Sequence, residues 1–219
     1  MWFGRDFAPR RRPSVWWRIF PVFGTLLALL AGAFPCQARQ IPAVEGLEAL
    51  RKAFTGVTDF TADISQEKRL SLLKRALTMN GTVRFRKPDL FYLELNAPYA
   101  SRMILRDNTI EQVMGTGGER NRIVLPPEQG LKRWFSRLAA PITTLPEGVG
   151  VQADATGPLY TVTLTPRGKG QVRELVITFL ADGTIRKLVI VEQNGDRAMM
   201  TFKRVRRNVG LTDRDFRLE

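Results

Sequence analysis

The chain has 219 residues, 44% of them hydrophobic and 25% charged, with 34 Lys and Arg against 21 Asp and Glu, no histidine and one cysteine, for a formal net charge of +13. That balance suits a single globular domain with a real core. With no histidine and only Cys36, the usual zinc ligands, the Ser-His and Cys-His nucleophile pairs and the commonest acid/base side chain are missing, and no Gly-rich phosphate loop points to nucleotide chemistry.

The N-terminal stretch reads as a secretory signal. Arg5, Arg10, Arg11, Arg12 and Arg18 give it a basic start, an apolar run covers residues 19–34, and Cys36-Gln37-Ala38 suits cleavage after Ala38. An uncleaved anchor would need roughly 20 apolar residues, whereas this run is shorter and contains Pro21 and Gly24. Phe34-Pro35 does not suit a lipoprotein signal at Cys36, and Pro13-Ser14-Val15 does not suit twin-arginine export after Arg12. Cleavage would remove Cys36 and leave 29 basic and 20 acidic residues, a net of +9. The expected organisation is a signal at 1–38 and one domain at 39–219.

In the remaining chain, Val44, Leu47, Leu50 and Phe54 form an apolar stripe at helical spacing, with Glu45 early and Lys52 late as the helix dipole favours. This helix over 44–55 either packs on the core or covers a cavity. From 59 to 66 the period becomes two, with Phe60, Ala62 and Ile64 on one face. A polar bend over 67–75 leads to a strand at 77–85. Lys87-Pro88-Asp89 then makes a turn, because Pro88 cannot donate to a ladder and Asp89 suits the turn position. Phe91, Leu93 and Leu95 alternate in the returning strand, which runs antiparallel. Shorter strands follow at 101–105 and 109–114, and 115–118 ends this half.

Residues 128–140 place Leu131, Trp134, Phe135 and Leu138 at helical spacing among Lys132, Arg133 and Arg137. In a β-rich chain such a helix docks on the sheet, as a cap closing the core or as a movable lid. A loop at 141–146 precedes strands at 149–155, 159–165, 172–180, 184–192 and 198–205, with Asp182-Gly183 a hairpin turn. The sum is a mainly β protein: an antiparallel sheet of about ten strands with two helices, large enough to curl into a barrel or half barrel.

Several stretches resemble the periplasmic outer-membrane lipoprotein carriers, the LolA family. Arg86-Lys87-Pro88-Asp89-Leu90-Phe91 is similar to that family's basic-basic-Pro-polar-Leu-Phe turn, and the 57–66 stretch follows its Phe-x-Ala-x-Phe-Thr-Gln signature with Ile64 and Ser65 substituted. Residues 175–179, 182–185 and 191–193 keep its order and spacing, and Asn208 with 215–218 resembles its closing segment. The resemblance implies an unclosed (half) β-barrel with helices as a lid over a hydrophobic cavity, no catalysis, no cofactor and no metal. It also implies a periplasmic protein carrying acylated lipoproteins or another lipid cargo, taken from an inner-membrane release complex and passed to an outer-membrane acceptor; a monomer is expected.

An acyl chain offers nothing but apolar area, at roughly 25 cal/mol per Å² buried, so the expected lipid-binding residues are Phe91, Leu93, Leu95, Met103, Leu105, Leu131, Trp134, Phe135, Leu138, Ile177 and Phe179. The family's turn carries an arginine that hydrogen-bonds the lid shut. Here Lys87 stands at that position, which leaves Lys87 or Arg86 as the latch. The strand after Asp107 has Ile110, Glu111 and Gln112 where the family has Trp and Tyr, and the chain stops at Glu219 where the family has a further tail.

The alternative is a non-catalytic interaction domain on the same scaffold, with a filled core and a basic binding surface. Nucleic acid is not an expected partner, because the positive charge is scattered and export removes it. Acids such as Asp63 and Glu94 sit on alternating faces with no catalytic partner that the sequence reveals.

Overall fold

The computed structural model describes residues 38–218 apart from 73–74, 116–117, 128–129 and 169. Residues 1–37, which include Cys36 and all but the last residue of the expected signal, lie outside the described residues. Among the described residues, twelve strands form one antiparallel sheet in the order β1-β8-β9-β10-β11-β12-β2-β3-β4-β5-β6-β7. In chain order these are β1 (Arg39–Ile41), helix α1 (Ala43–Thr55), β2 (Asp59–Leu70), β3 (Arg75–Arg86), β4 (Leu90–Leu95), β5 (Ser101–Arg106), β6 (Thr109–Met114) and β7 (Glu119–Val124). Helix α2 (Leu131–Arg137) comes next, followed by β8 (Val149–Thr156), β9 (Leu159–Pro166), β10 (Val172–Leu180), β11 (Ile185–Glu192), β12 (Arg197–Arg207) and a 3-10 turn at Asp213–Phe216. β1 and β7 are the two edges, so the barrel is not closed.

Two strands exceed the sequence count. β1 has three residues, too few to show a period, and β7 has all six residues exposed, so it carries no apolar alternation. β2 and β3 also run on through the expected bend. Glu67 pairs with Thr78 and Leu70 with Arg75, a hairpin extension that continues past the core and therefore reads as polar.

Cross-strand partners share a face, which sorts the side chains. Phe60, Phe85 and Phe91 stand in one row, and Ala62, Val83, Leu93 and Met103 in the next. These belong to the inner face, where Val57, Phe60, Ile64, Val83, Phe85 and Phe202 form one buried cluster with Phe135 of α2 packed against it. A second inner cluster joins Leu47, Leu50 and Ala53 of α1 to Ala153, Val162, Leu164 and Phe179. The intervening side chains of β4 and β5, Leu90, Tyr92 and Ile104, bury against Phe216 on the outer face.

The C-terminal segment is tied down at both ends of that outer patch. Asp59, almost fully buried, accepts hydrogen bonds from the Val209 N–H at 2.7 Å and the Gly210 N–H at 3.3 Å. Asn208 accepts from the Thr58 N–H and donates to the Gly56 carbonyl, each at 2.9 Å. Farther on, Arg84 donates to the Asp215 carbonyl at 2.8 Å, and Arg86 pairs with Asp213 and lies over the Phe216 ring, 5.5 Å from its centre.

Candidate functional site

The inner face is paved by aromatic rings at one end and thins to aliphatic side chains at the other. Phe60 and Phe85 lie 5.2 Å apart between ring centres, and Phe135 stands 5.3 Å from Phe85, closing the row from above. Leu93 is buried beside them, while Phe91, Leu95, Met103 and Ile177 are only half-buried against the cluster. Register carries the row outward from Phe91 through Leu105 and Ile110 to Ile123. At its far end Ile123 is 41% exposed, and Met114, on the same face at the other end of β6, is 52% exposed. Ile110, Met114 and Ile123 therefore extend the apolar wall beyond the residues expected from sequence. The signal that could have found them is the Ile110/Gln112/Met114 alternation, weakened by its glutamine.

The two helices are held differently. α1 lies close on the sheet: a Cβ at Gly46 would sit 2.1 Å from the Cβ of Ala153, and one at Gly183 would sit 2.2 Å from the Ala53 carbonyl oxygen. Gly183 also has φ +85°, as its turn requires. Glu48 accepts from the Arg51 guanidinium at 2.7 Å and from the Ile142 N–H at 3.0 Å, and those two hydrogen bonds hold its carboxyl down at about 2. Phe179 is fully buried beneath this helix, stacked on Tyr160 and edge-on to Phe54. It serves the floor under α1.

α2 has seven residues, none of them buried. It spans less than the expected 128–140. Its first turn is tied to the β5–β6 turn, because the Leu131 N–H donates to the Asp107 carbonyl and the Lys132 N–H to the Asp107 carboxylate. Lys132 also reaches Asp89 at 3.3 Å. Between α2, α1 and the following loop lies a cavity of about 340 Å³ lined by Leu47, Trp134, Leu138, Ile142 and Leu145 among others. Leu131 is half-buried on the same helix. A second cleft of about 460 Å³, at the far end of α1, is bordered by Gly56, Asp182, Arg207 and Asn208. Its polar groups are already engaged, Arg207 with Asp182 at 3.4 Å and Asn208 with residues 56 and 58.

Lys87 joins the two helices. Its ammonium donates to the Phe54 carbonyl at the end of α1 and stands 5.6 Å from the centre of the Phe135 ring of α2. Burial pushes its pKa below the ordinary lysine value. Arg86 points the other way, to the C-terminal segment on the outer face, so the two candidates for the latch are placed on opposite sides of the sheet.

Asp63 pairs with Arg204, and Glu94 with Arg84 at 3.8 Å and Arg102 at 3.4 Å. These acids hold strands together on the outer face. Among the described residues no group of three or more His, Cys, Asp or Glu side chains is placed to share a metal ion, and no helix is long and apolar enough to cross a membrane.

An unclosed antiparallel sheet with an apolar inner face and helices over one end defines an open half-barrel. The family model for the outer membrane lipoprotein carrier protein LolA matches residues 55–219, and the chain belongs to this family. Among solved structures, a DUF1329 family protein from Desulfovibrio piger is similar at 11% identity, covering 80% of this chain and 97% of its own, with a TM-score of 0.44. A LolA superfamily protein from Nitrosomonas europaea is similar at 7% identity, covering 81% and 98%, also with a TM-score of 0.44. The Pseudomonas aeruginosa MucA/MucB complex shows 14% identity, coverage of 81% and 61%, and a TM-score of 0.40. No curated protein matches the chain.

Proposed function

We propose that this chain is a periplasmic carrier that shelters the acyl chains of lipoproteins, or a related lipid, on its inner face and ferries them toward the outer membrane. The supporting observation is the apolar row from Phe85 to Ile123, covered at one end by a helix that buries none of its own residues. Acyl burial is worth about 0.8 kcal/mol per CH₂, so the partial side-chain packing under the seven-residue α2 is readily exchanged for ligand. Phe91, Leu93, Leu95, Met103, Leu105 and Ile177 form the wall in this reading, Leu131, Trp134, Phe135 and Leu138 the lid, and Lys87 the latch. Residues 1–38 act as the export signal and 39–219 as the carrier. An inner-membrane release complex supplies the cargo, an outer-membrane acceptor receives it, and the cycle needs no cofactor and no catalytic group.

A second reading, an interaction domain with a filled core, draws on the close packing of Phe135 on Phe85; the cavity beside Trp134 and Leu138 weighs against it. Native mass spectrometry of the protein purified from a periplasmic extract, followed by organic extraction, separates the two. A bound lipid or acylated protein that is lost in Leu93→Asp or Phe135→Asp is the expected result. An empty protein that also refuses added triacylated peptide overturns the carrier reading.

A further inference from the structure

The sheet ends at β7 with nothing beside it among the described residues. The hydrogen bonds fix which backbone groups of β7 are free. The Leu125 N–H donates to the Asn108 carbonyl at 2.7 Å, and in an antiparallel ladder only every second residue bonds to the same neighbour. Residues 119, 121 and 123 therefore serve β6, while the N–H and C=O groups of Arg120, Arg122 and Val124 point away from the sheet. All six residues of the strand are exposed.

Its two faces differ in chemistry. Ile123 continues the apolar inner row of Leu105 and Ile110. On the outer face stand Arg120 and Arg122, with Arg102 beside Arg120 across Val113. Arg122 comes only within 4.0 Å of Glu111, with both side chains at least half exposed. An added strand would thus meet Arg120, Arg122 and Val124 with one set of side chains and Glu119, Asn121 and Ile123 with the other. Opposite charges across neighbouring strands stabilise pairing, and like charges oppose it. A second copy pairing β7 against β7 would set arginines beside arginines, so the edge is complementary to acidic chain and repels itself.

We propose that β7 docks an extended peptide segment of a partner protein, with acidic side chains on the face that meets Arg120 and Arg122 and an apolar side chain opposite Ile123, which adds to the sheet as a further strand. Main-chain hydrogen bonds to Arg120, Arg122 and Val124 supply affinity, and the alternating side chains supply selectivity.

The test is to titrate the folded chain with acetyl-Val-Asp-Val-Glu-Val-Asp-amide and with its lysine counterpart, following backbone amide exchange. The acidic peptide is expected to slow exchange at Arg120, Arg122 and Val124, and the lysine peptide to leave it unchanged. Val124→Pro, which removes a free N–H without touching charge or the bonds to β6, should weaken the acidic peptide by about tenfold. The double substitution Arg120→Glu with Arg122→Glu should transfer the preference to the lysine peptide, and it decides the matter if the proline variant does not fold. Unchanged exchange with saturating acidic peptide, equal protection by both peptides, or protection that rises with protein concentration in the absence of peptide overturns the proposal, the last by making a second copy the occupant.

Discussion

The carbonyls of a helix's last turn lack intrahelical donors and carry the negative end of its dipole, so a cation donating there is favoured. Lys87 fills that role at Phe54 and also faces the Phe135 ring. Lys87→Met removes the charged donor and the ring contact, and should lower unfolding free energy by about 1–2 kcal/mol, whereas Lys87→Arg should stay within about 0.5 kcal/mol; urea titration measures both. Glu48 offers a pH test. Its folded carboxyl is held at about 2 against an ordinary 4.5, so its contribution is fully present above 4.5 and is lost as pH falls through about 2. In Glu48→Gln that part of the acid dependence should vanish, read as urea midpoints of the two proteins converging across this window. Pro88 and Asp89 placed Lys87 at the turn, and the family resemblance left Lys87 or Arg86 as the latch. Their separation depends on where the C-terminal segment lies, which no local pattern reveals.

At the scale of the element, α1 and α2 differ in how replaceable their contacts are. α1 rests on Ala153 through a glycine, and a methyl group at position 46 has no room. Gly46→Ala should cost about 1–3 kcal/mol despite alanine's better helix propensity, and Ala153→Gly in that background should recover most of the loss. Gly56→Ala is the control, since open space surrounds that position and its φ is −84°; thermal unfolding of the three variants tests the series. The periodicity of 44–55 gave this helix nearly to the residue, yet it allowed packing or lid equally. Backbone proximity to Ala153 makes α1 a fixed plate. For α2 the apolar spacing was legible and the length was not, because its start is set by hydrogen bonds to Asp107, a residue two strands earlier in the chain. β7 was illegible for a different reason: an edge strand exposed on both faces needs no alternation.

Across the whole molecule, the sheet separates two apolar layers. Phe216 belongs to the outer one and is buried with Leu90, Tyr92 and Ile104, while Phe135 lies on the inner one and remains half-buried. Phe216→Ala should cost about 3–5 kcal/mol and leave the affinity of the folded fraction for a fluorescent fatty-acid probe unchanged. Phe135→Ala should cost clearly less, about 1–2 kcal/mol, and change probe affinity. Paired thermal unfolding and probe titration check this division, and a Phe216→Ala protein whose folded fraction has lost the probe would show the layers to be coupled.

The sequence by itself determined the β-rich class, both helices, the Lys87-Pro88 and Asp182-Gly183 turns and the apolar alternation of the central strands, because these follow from a backbone period of two or 3.6 and from residues that fix a dihedral angle. Only the tertiary structure decided which face of each strand looks inward, that β12 closes beside β2 to bring the chain's end onto β4, and that the inner apolar row runs on to an open edge at β7. Alternation is a local property with two equivalent faces. The choice between them is made by partners as far as 150 residues away in sequence, such as Asn208 on Thr58.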